Sequence, residues 1–83
     1  MCNIVSATSL NGKFLLNCTP YEGDFDNAKK LIIITKEDEK YDTDDFILEK
    51  TRSCFSNGKS PWIMLNRNVP EQFLKKGNQI ILQ

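Results

Sequence analysis

The sequence predicts an α+β domain: a small mixed sheet of four to five strands led by an N-terminal β-hairpin, one main helix at about residues 43–57, and residues 69–76 open to a short helix or a loop. Three observations carry this reading. Asn11-Gly12 separates two apolar-containing runs. Leu31-Ile32-Ile33-Ile34 is short, β-branched and continuously apolar. The run from Thr43 to Asn57 opens on acidic residues, carries apolar residues near one face and ends at glycine. A chain of 83 residues has room for one hydrophobic core, so residues 1–83 read as a single domain.

Each element has a local reason. Asn-Gly accepts positive φ at both central positions of a tight turn, which predicts a hairpin from Ile4–Leu10 and Lys13–Cys18. Pro20, Gly23, Asp24 and Asn27 mark a loop. Leu31 to Thr35 reads as a buried central strand, followed by an acidic connector from Lys36 to Asp42. Asp42 or Thr43 then caps the predicted helix, and Asp44 and Asp45 suit the dipole of its first turn. Ile47, Thr51, Cys54 and Phe55 fall near one helical face with Leu48 beside them, and Asn57-Gly58 is a C-terminal stop. Pro61 to Leu65 and Gln79 to Leu82 read as strands. Between them, Pro70 opens a short helix ended by Gly77, or residues 69–76 form a loop with one helical turn before a strand of a small barrel. The predicted core is Ile4, Leu15, Leu31, Ile32, Ile33, Ile34, Ile47, Phe55, Ile63, Leu65, Phe73, Ile80 and Leu82.

Charge is the clearest pattern. Lysine and arginine together balance aspartate and glutamate at 11 each, yet ten of the acids lie within residues 22–49. Six of them, Glu37, Asp38, Glu39, Asp42, Asp44 and Asp45, crowd into residues 37–45. Residues 50–83 carry Lys50, Arg52, Lys59, Arg67, Lys75 and Lys76 against Glu71 alone. A concentrated acidic segment suits a basic partner and speeds encounter at low salt; it also serves as an ordinary solvated surface.

Few chemistries survive inspection. There is no histidine, and Cys2, Cys18 and Cys54 are too few and too scattered for a zinc site or a disulfide framework. Counting a calcium loop from Asp38 places Asp42, Asp44 and Glu49 at ligand positions, but Lys40 and Thr43 stand where a ligand and a glycine are needed. No phosphate-cradling or nucleophile-elbow motif occurs. The start Met1-Cys2-Asn3-Ile4-Val5 resembles that of class II glutamine amidotransferases, whose cysteine becomes an N-terminal nucleophile. The resemblance covers five residues, departs at Asn3 where that family commonly has glycine, and transfers no role; Cys2 reads as a structural thiol. No cofactor and no catalysis are expected.

These features predict a cytoplasmic, non-enzymatic protein-interaction module. No stretch approaches the length of a transmembrane helix, and the N-terminus lacks the pattern of a signal peptide. Nine lysines against two arginines, with abundant isoleucine and asparagine, fit AT-rich coding and a small phage or mobile-element protein that modulates a host protein. The expected binding residues are Glu37, Asp38, Glu39, Tyr41, Asp42, Asp44 and Asp45, with Tyr21 and Phe25 as further aromatic anchors, and the expected partner has a basic surface. The alternative is nucleic-acid binding by the basic half through Lys59, Trp62, Arg67, Lys75 and Lys76.

Overall fold

The computed structural model describes residues 1–19, 21, 23, 27–52 and 59–83. Among them, seven strands form one antiparallel sheet: β1 (Cys2–Leu10), β2 (Lys13–Cys18), β3 (Leu31–Ile34), β4 (Lys40–Thr43), β5 (Phe46–Arg52), β6 (Lys59–Leu65) and β7 (Gln79–Leu82). Their spatial order is β4-β3-β7-β1-β2-β6-β5. The only helical element among the described residues is a single 3-10 turn, Glu71–Leu74.

The expected α+β fold with a mixed sheet and a main helix at 43–57 is therefore corrected to an all-antiparallel β fold. Two strands and a corner occupy the helix's N-terminal part. Thr43 and the acids after it do perform a capping function, but for a turn: the Asp45 amide donates to Thr43 Oγ1 at 3.0 Å. The same side chains that cap helices close such hydroxyl turns. Beyond the corner burial alternates with period two. Phe46 and Leu48 pack against the core while Ile47 between them is 47% exposed. Pairing with β6 from Phe46↔Leu65 to Arg52↔Lys59 satisfies the β5 backbone on one side, and the aromatic and β-branched residues of this run suit a pleated surface better than a helix. Cys54, Phe55 and the Asn57-Gly58 stop lie outside the described residues, as do Pro20, Asp24 and Phe25.

The hairpin between β1 and β2 forms as its sequence predicts, with Asn11 at φ 50° and Gly12 at φ 78°. The acidic connector Lys36 to Asp42 is instead the turn and start of a second hairpin, in which Ile34 pairs with Lys40 and Leu31 with Thr43. Residues 69–76 take the loop form: Phe73 enters the core from the 3-10 turn, and Gly77 at φ 93° leads into β7.

Two ladders share β1. Its first residues pair with β7 (Cys2↔Ile80, Asn3↔Gln79), while most of its length pairs with β2. The β2 register slips between Ile4 and Ser6, where Val5 is the extra residue. This bulge changes which residues point inward. Ile4 faces Cys18, and beyond the slip it is Ala7 that faces Leu16. The two ladders thus enclose one core: Cys2, Ile4, Leu16, Cys18, Leu31, Ile33, Ile63, Leu65, Val69, Phe73, Ile80 and Leu82. Leu16 and Val69 belong to it although the sequence did not single them out, Cys2 and Cys18 join it as structural thiols, and Leu15 and Ile34 are only half-buried while Ile47 is exposed. β4 and β5 are opposite edges of the sheet, yet only Asp44 and Asp45 separate Thr43 from Phe46. Those two ends are at most about 11 Å apart, so the sheet curls until its edges nearly meet.

Ile33→Ala and Leu16→Ala are each expected to lose about 2–5 kcal/mol of stability in urea unfolding, and Ile47→Ala no more than about 1 kcal/mol. A loss at Ile47 as large as at Ile33 would contradict the outward placement of Ile47.

Candidate functional site

The acidic cluster predicted from the sequence is divided by the fold into three groups. At the β3–β4 turn, the buried Thr35 accepts from the Glu39 amide through Oγ1 at 3.1 Å and donates its own amide to the Glu39 carbonyl at 2.9 Å. The Asp38 amide reaches the Thr35 carbonyl at 3.1 Å, and Asp38 sits at φ 64°, a conformation aspartate tolerates through local hydrogen bonding. Glu37 and Asp38 are exposed there, with no side-chain hydrogen bond or ion pair among the described residues. Glu39 accepts from Gln72 Nε2 at 2.8 Å, tying the turn to the 3-10 segment.

Along β4, Asp42 pairs with Lys30 at 3.1 Å, both side chains about half exposed. Such a pair contributes about 0–1 kcal/mol. Tyr41 points the other way. Its ring meets Phe73 at a centroid distance of 5.4 Å and 42° tilt, so it supports the core and does not stand free as an anchor. Tyr21 is also engaged, accepting the Leu82 amide at 2.9 Å and donating to the Leu82 carbonyl at 3.3 Å.

At the corner, Asp44 is exposed and Asp45 is a structural clamp. Asp45 accepts from Asn66 Nδ2 at 3.1 Å and from Arg67 Nε at 3.0 Å. The Asn66 hydrogen bond first, then the Arg67 one, hold its carboxyl below the ordinary aspartate range, against a smaller effect of desolvation; Asp45 in turn keeps the Arg67 guanidinium ionised.

Of the residues of the nucleic-acid reading, the described side chains lie on different elements. Arg67 is committed to Asp45. Lys75 and Lys76 follow the 3-10 turn, and Lys75 borders a cleft of about 460 Å³ beside the inward-side residues Ala7, Phe14 and Val69. Trp62 instead lies on the outward face of β6, 37% exposed. Lys59 begins β6, its backbone opposite Arg52.

That outward face is the feature sequence reasoning missed. Leu15, Met64 and Ile47 form one register row across β2, β6 and β5, and with Trp62 they line a hollow of about 290 Å³. In sequence Phe46-Ile47-Leu48 is a continuous apolar run, which does not say that Ile47 faces outward.

Cys2 and Cys18 are buried at 2% and 3% exposure, and their thiols share a hydrogen bond on the core side of β1 and β2. That bond and burial push the Cys18 thiol up. Cys2 is thus not presented at the surface as an N-terminal nucleophile would be. Among the described residues no three cysteine, aspartate or glutamate side chains converge as a metal-ligand set, and no helix is long and apolar enough to cross a membrane. Comparison of the chain with protein families, with characterised proteins and with solved structures finds no match.

The Asp45 clamp has a pH signature. Its folded pKa lies below its ordinary value of 3.8, so the stability it contributes is present above that value and is lost as pH falls through it toward the folded pKa. Asp45→Asn should flatten the acid limb of the stability curve below about pH 4, measured by urea unfolding at a series of pH values. An unchanged acid limb would show that the clamp contributes nothing to folding. The thiol pair has a chemical one. Mild alkylation of the native protein near neutral pH, read by peptide mass spectrometry, should leave both Cys2 and Cys18 unlabelled, and Cys2→Ser should retain the fold with a loss of about 1–2 kcal/mol. Rapid selective labelling of Cys2 would contradict its burial.

Proposed function

We propose that this protein is a non-enzymatic protein-interaction module that meets a basic partner through the acidic β3–β4 hairpin. The observation that carries this reading is the tip of that hairpin. Glu37 and Asp38 stand exposed, without a side-chain partner among the described residues, on a turn whose stem is anchored by the fully buried Leu31 and Ile33. Two carboxylates held in this way lose little conformational freedom on binding, and their field steers a basic surface into contact. Asp42 and Asp44 extend the negative surface along the strand and the corner. Glu39, Tyr41 and Asp45 support it from behind through Gln72, Phe73, Asn66 and Arg67. The lysine-rich, AT-biased composition and small size favour a phage or mobile-element protein acting on a host protein in the cytoplasm.

The test compares three forms of the chain as bait in a low-GC bacterial lysate: wild type, Glu37→Gln/Asp38→Asn, and Lys75→Gln/Lys76→Gln. The expected result is a basic protein captured by wild type and by the lysine variant, with association to the purified partner slowed roughly two- to ten-fold by the acid substitutions at low salt and little at high salt. Asparagine at position 38 tolerates the same left-handed backbone, so the turn is kept. Equal capture by all three forms, or saturable binding of single- or double-stranded DNA or RNA at near-physiological salt, would overturn the proposal.

A further inference from the structure

We infer that the free edge of β1, with the cleft beside it, binds an extended peptide segment of a partner protein that carries a large apolar residue between a basic and an acidic one. The inference goes beyond the hairpin contact proposed above and does not rest on it. β1 has neighbours on both sides only at its start: Cys2 and Asn3 pair with β7, and the Ile4 backbone reaches Gly77 and Asn78. After the bulge at Val5 the strand continues with β2 alone. From Ser6 to Leu10 nothing among the described residues pairs with its other edge. Every second residue there directs its N–H and C=O away from β2. Such a row of backbone groups takes an added strand.

The cleft of about 460 Å³ adjoins this stretch of strand. Ala7, Ser9 and Phe14 line it from the hairpin, Val69 and Leu74 from the segment around the 3-10 turn. Ala7 and Ser9 lie on one face because strand residues two apart do, and both are small and exposed. A strand laid along β1 turns alternate side chains to that same face. The side chain that meets the cleft finds apolar walls and room for a ring. Main-chain hydrogen bonds along the edge supply affinity, and the cleft supplies selection.

Charge complementarity sets the flanking residues. Glu71 and Lys75 line the same cleft, are exposed, and make no side-chain hydrogen bond or ion pair among the described residues. One acid and one base complement a peptide whose basic and acidic residues stand two positions to either side of its apolar one. Such residues are about 13 Å apart along a strand, against about 8 Å from Glu71 to Lys75 along a 3-10 turn, a difference that four long side chains cover. A nucleic-acid strand fits less well, because its phosphates would meet Glu71 as well as Lys75. A second copy also fits less well. Its own β1, laid on this edge, would bring only Ala7 and Ser9 to the cleft and leave it unfilled.

The experiment titrates the isotope-labelled full chain with two end-blocked peptides, Lys-Thr-Phe-Thr-Glu and its reverse Glu-Thr-Phe-Thr-Lys, read by amide chemical shifts and hydrogen exchange. The expected result is binding of one order with a Kd on the order of 1 mM, and of the other at least about threefold more weakly. Amides at alternate positions between Ser6 and Leu10 should shift and exchange more slowly in the complex. Ala7→Leu fills the cleft from an exposed position, so it should weaken binding about tenfold while circular dichroism and Tm stay close to wild type. The double variant Glu71→Lys/Lys75→Glu should reverse which peptide order is preferred. No binding of either order up to about 10 mM, binding that leaves the Ser6–Leu10 amides unchanged, or a preference indifferent to the double reversal would overturn the inference. So would equal affinity for phenylalanine amide alone, which assigns the cleft to a small molecule. Concentration-dependent dimerisation abolished by Ala7→Leu would overturn it too, by assigning the edge to a second copy.

Discussion

Ile4 is the point on which this fold turns. It is 1% exposed and flanked on both sides: it faces Cys18 on β2, while its amide donates to the Asn78 carbonyl at 2.9 Å and its carbonyl accepts from the Gly77 amide at 2.8 Å. A single residue thus belongs to both ladders. The bulge that follows at Val5 lets β1 leave β7 and continue with β2 while keeping an apolar set directed inward. Without the extra residue, Ser6 and Thr8 would take the inward positions and Ala7 would turn outward. The shared core, the 3-10 turn plugged by Phe73 and the near-closure of the sheet edges all depend on that change of phase.

What could be read from the sequence follows from how local each determinant is. Asn11-Gly12 specifies its own turn, because both residues accept positive φ whatever surrounds them, and the hairpin was legible for that reason. Leu31 to Ile34 was legible as a central strand because a short β-branched run with no polar face has to be covered on both sides. Thr43 to Leu48 was not. Threonine and aspartate before an apolar run describe a helix cap and a hydroxyl turn equally well, and the choice is made by pairing with β6, the next strand along the chain, which no residue of the Thr43–Leu48 run encodes. The tertiary partner overrode the local pattern, and Ile47 moved from a predicted core position to the surface with it.

The acidic candidate site was legible as a concentration of charge but not as a division of labour. Proximity in sequence placed six carboxylates within residues 37–45, while strand alternation and two turns sent them to different tasks. Asp45 faces the donors of Asn66 and Arg67, Asp42 meets Lys30, and Glu37 and Asp38 are left at the hairpin tip. Like charges so close together are tolerable because each is either turned to solvent, where screening is strong, or paired with a specific donor. The basic residues are spread in the same way, over the start of β6, the corner clamp and the segment after the 3-10 turn.

The pairing of β1 with β7 also bears on how the chain reaches this state. β1, β2 and the two later hairpins assemble from neighbouring segments, but the central ladder closes only when β7 arrives, because β7 lies between β1 and β3. Loop-closure entropy has to be met before such a non-local contact returns any free energy, so high contact order places folding in the millisecond-to-second range of β-rich domains. During translation this becomes a matter of order. A ribosome-bound chain displays the open edges of β1 and β3, with Cys2, Ile33 and Leu31 uncovered, until β7 has emerged. Nascent-chain protection by chaperones therefore matters for this fold until β7 is available to pair.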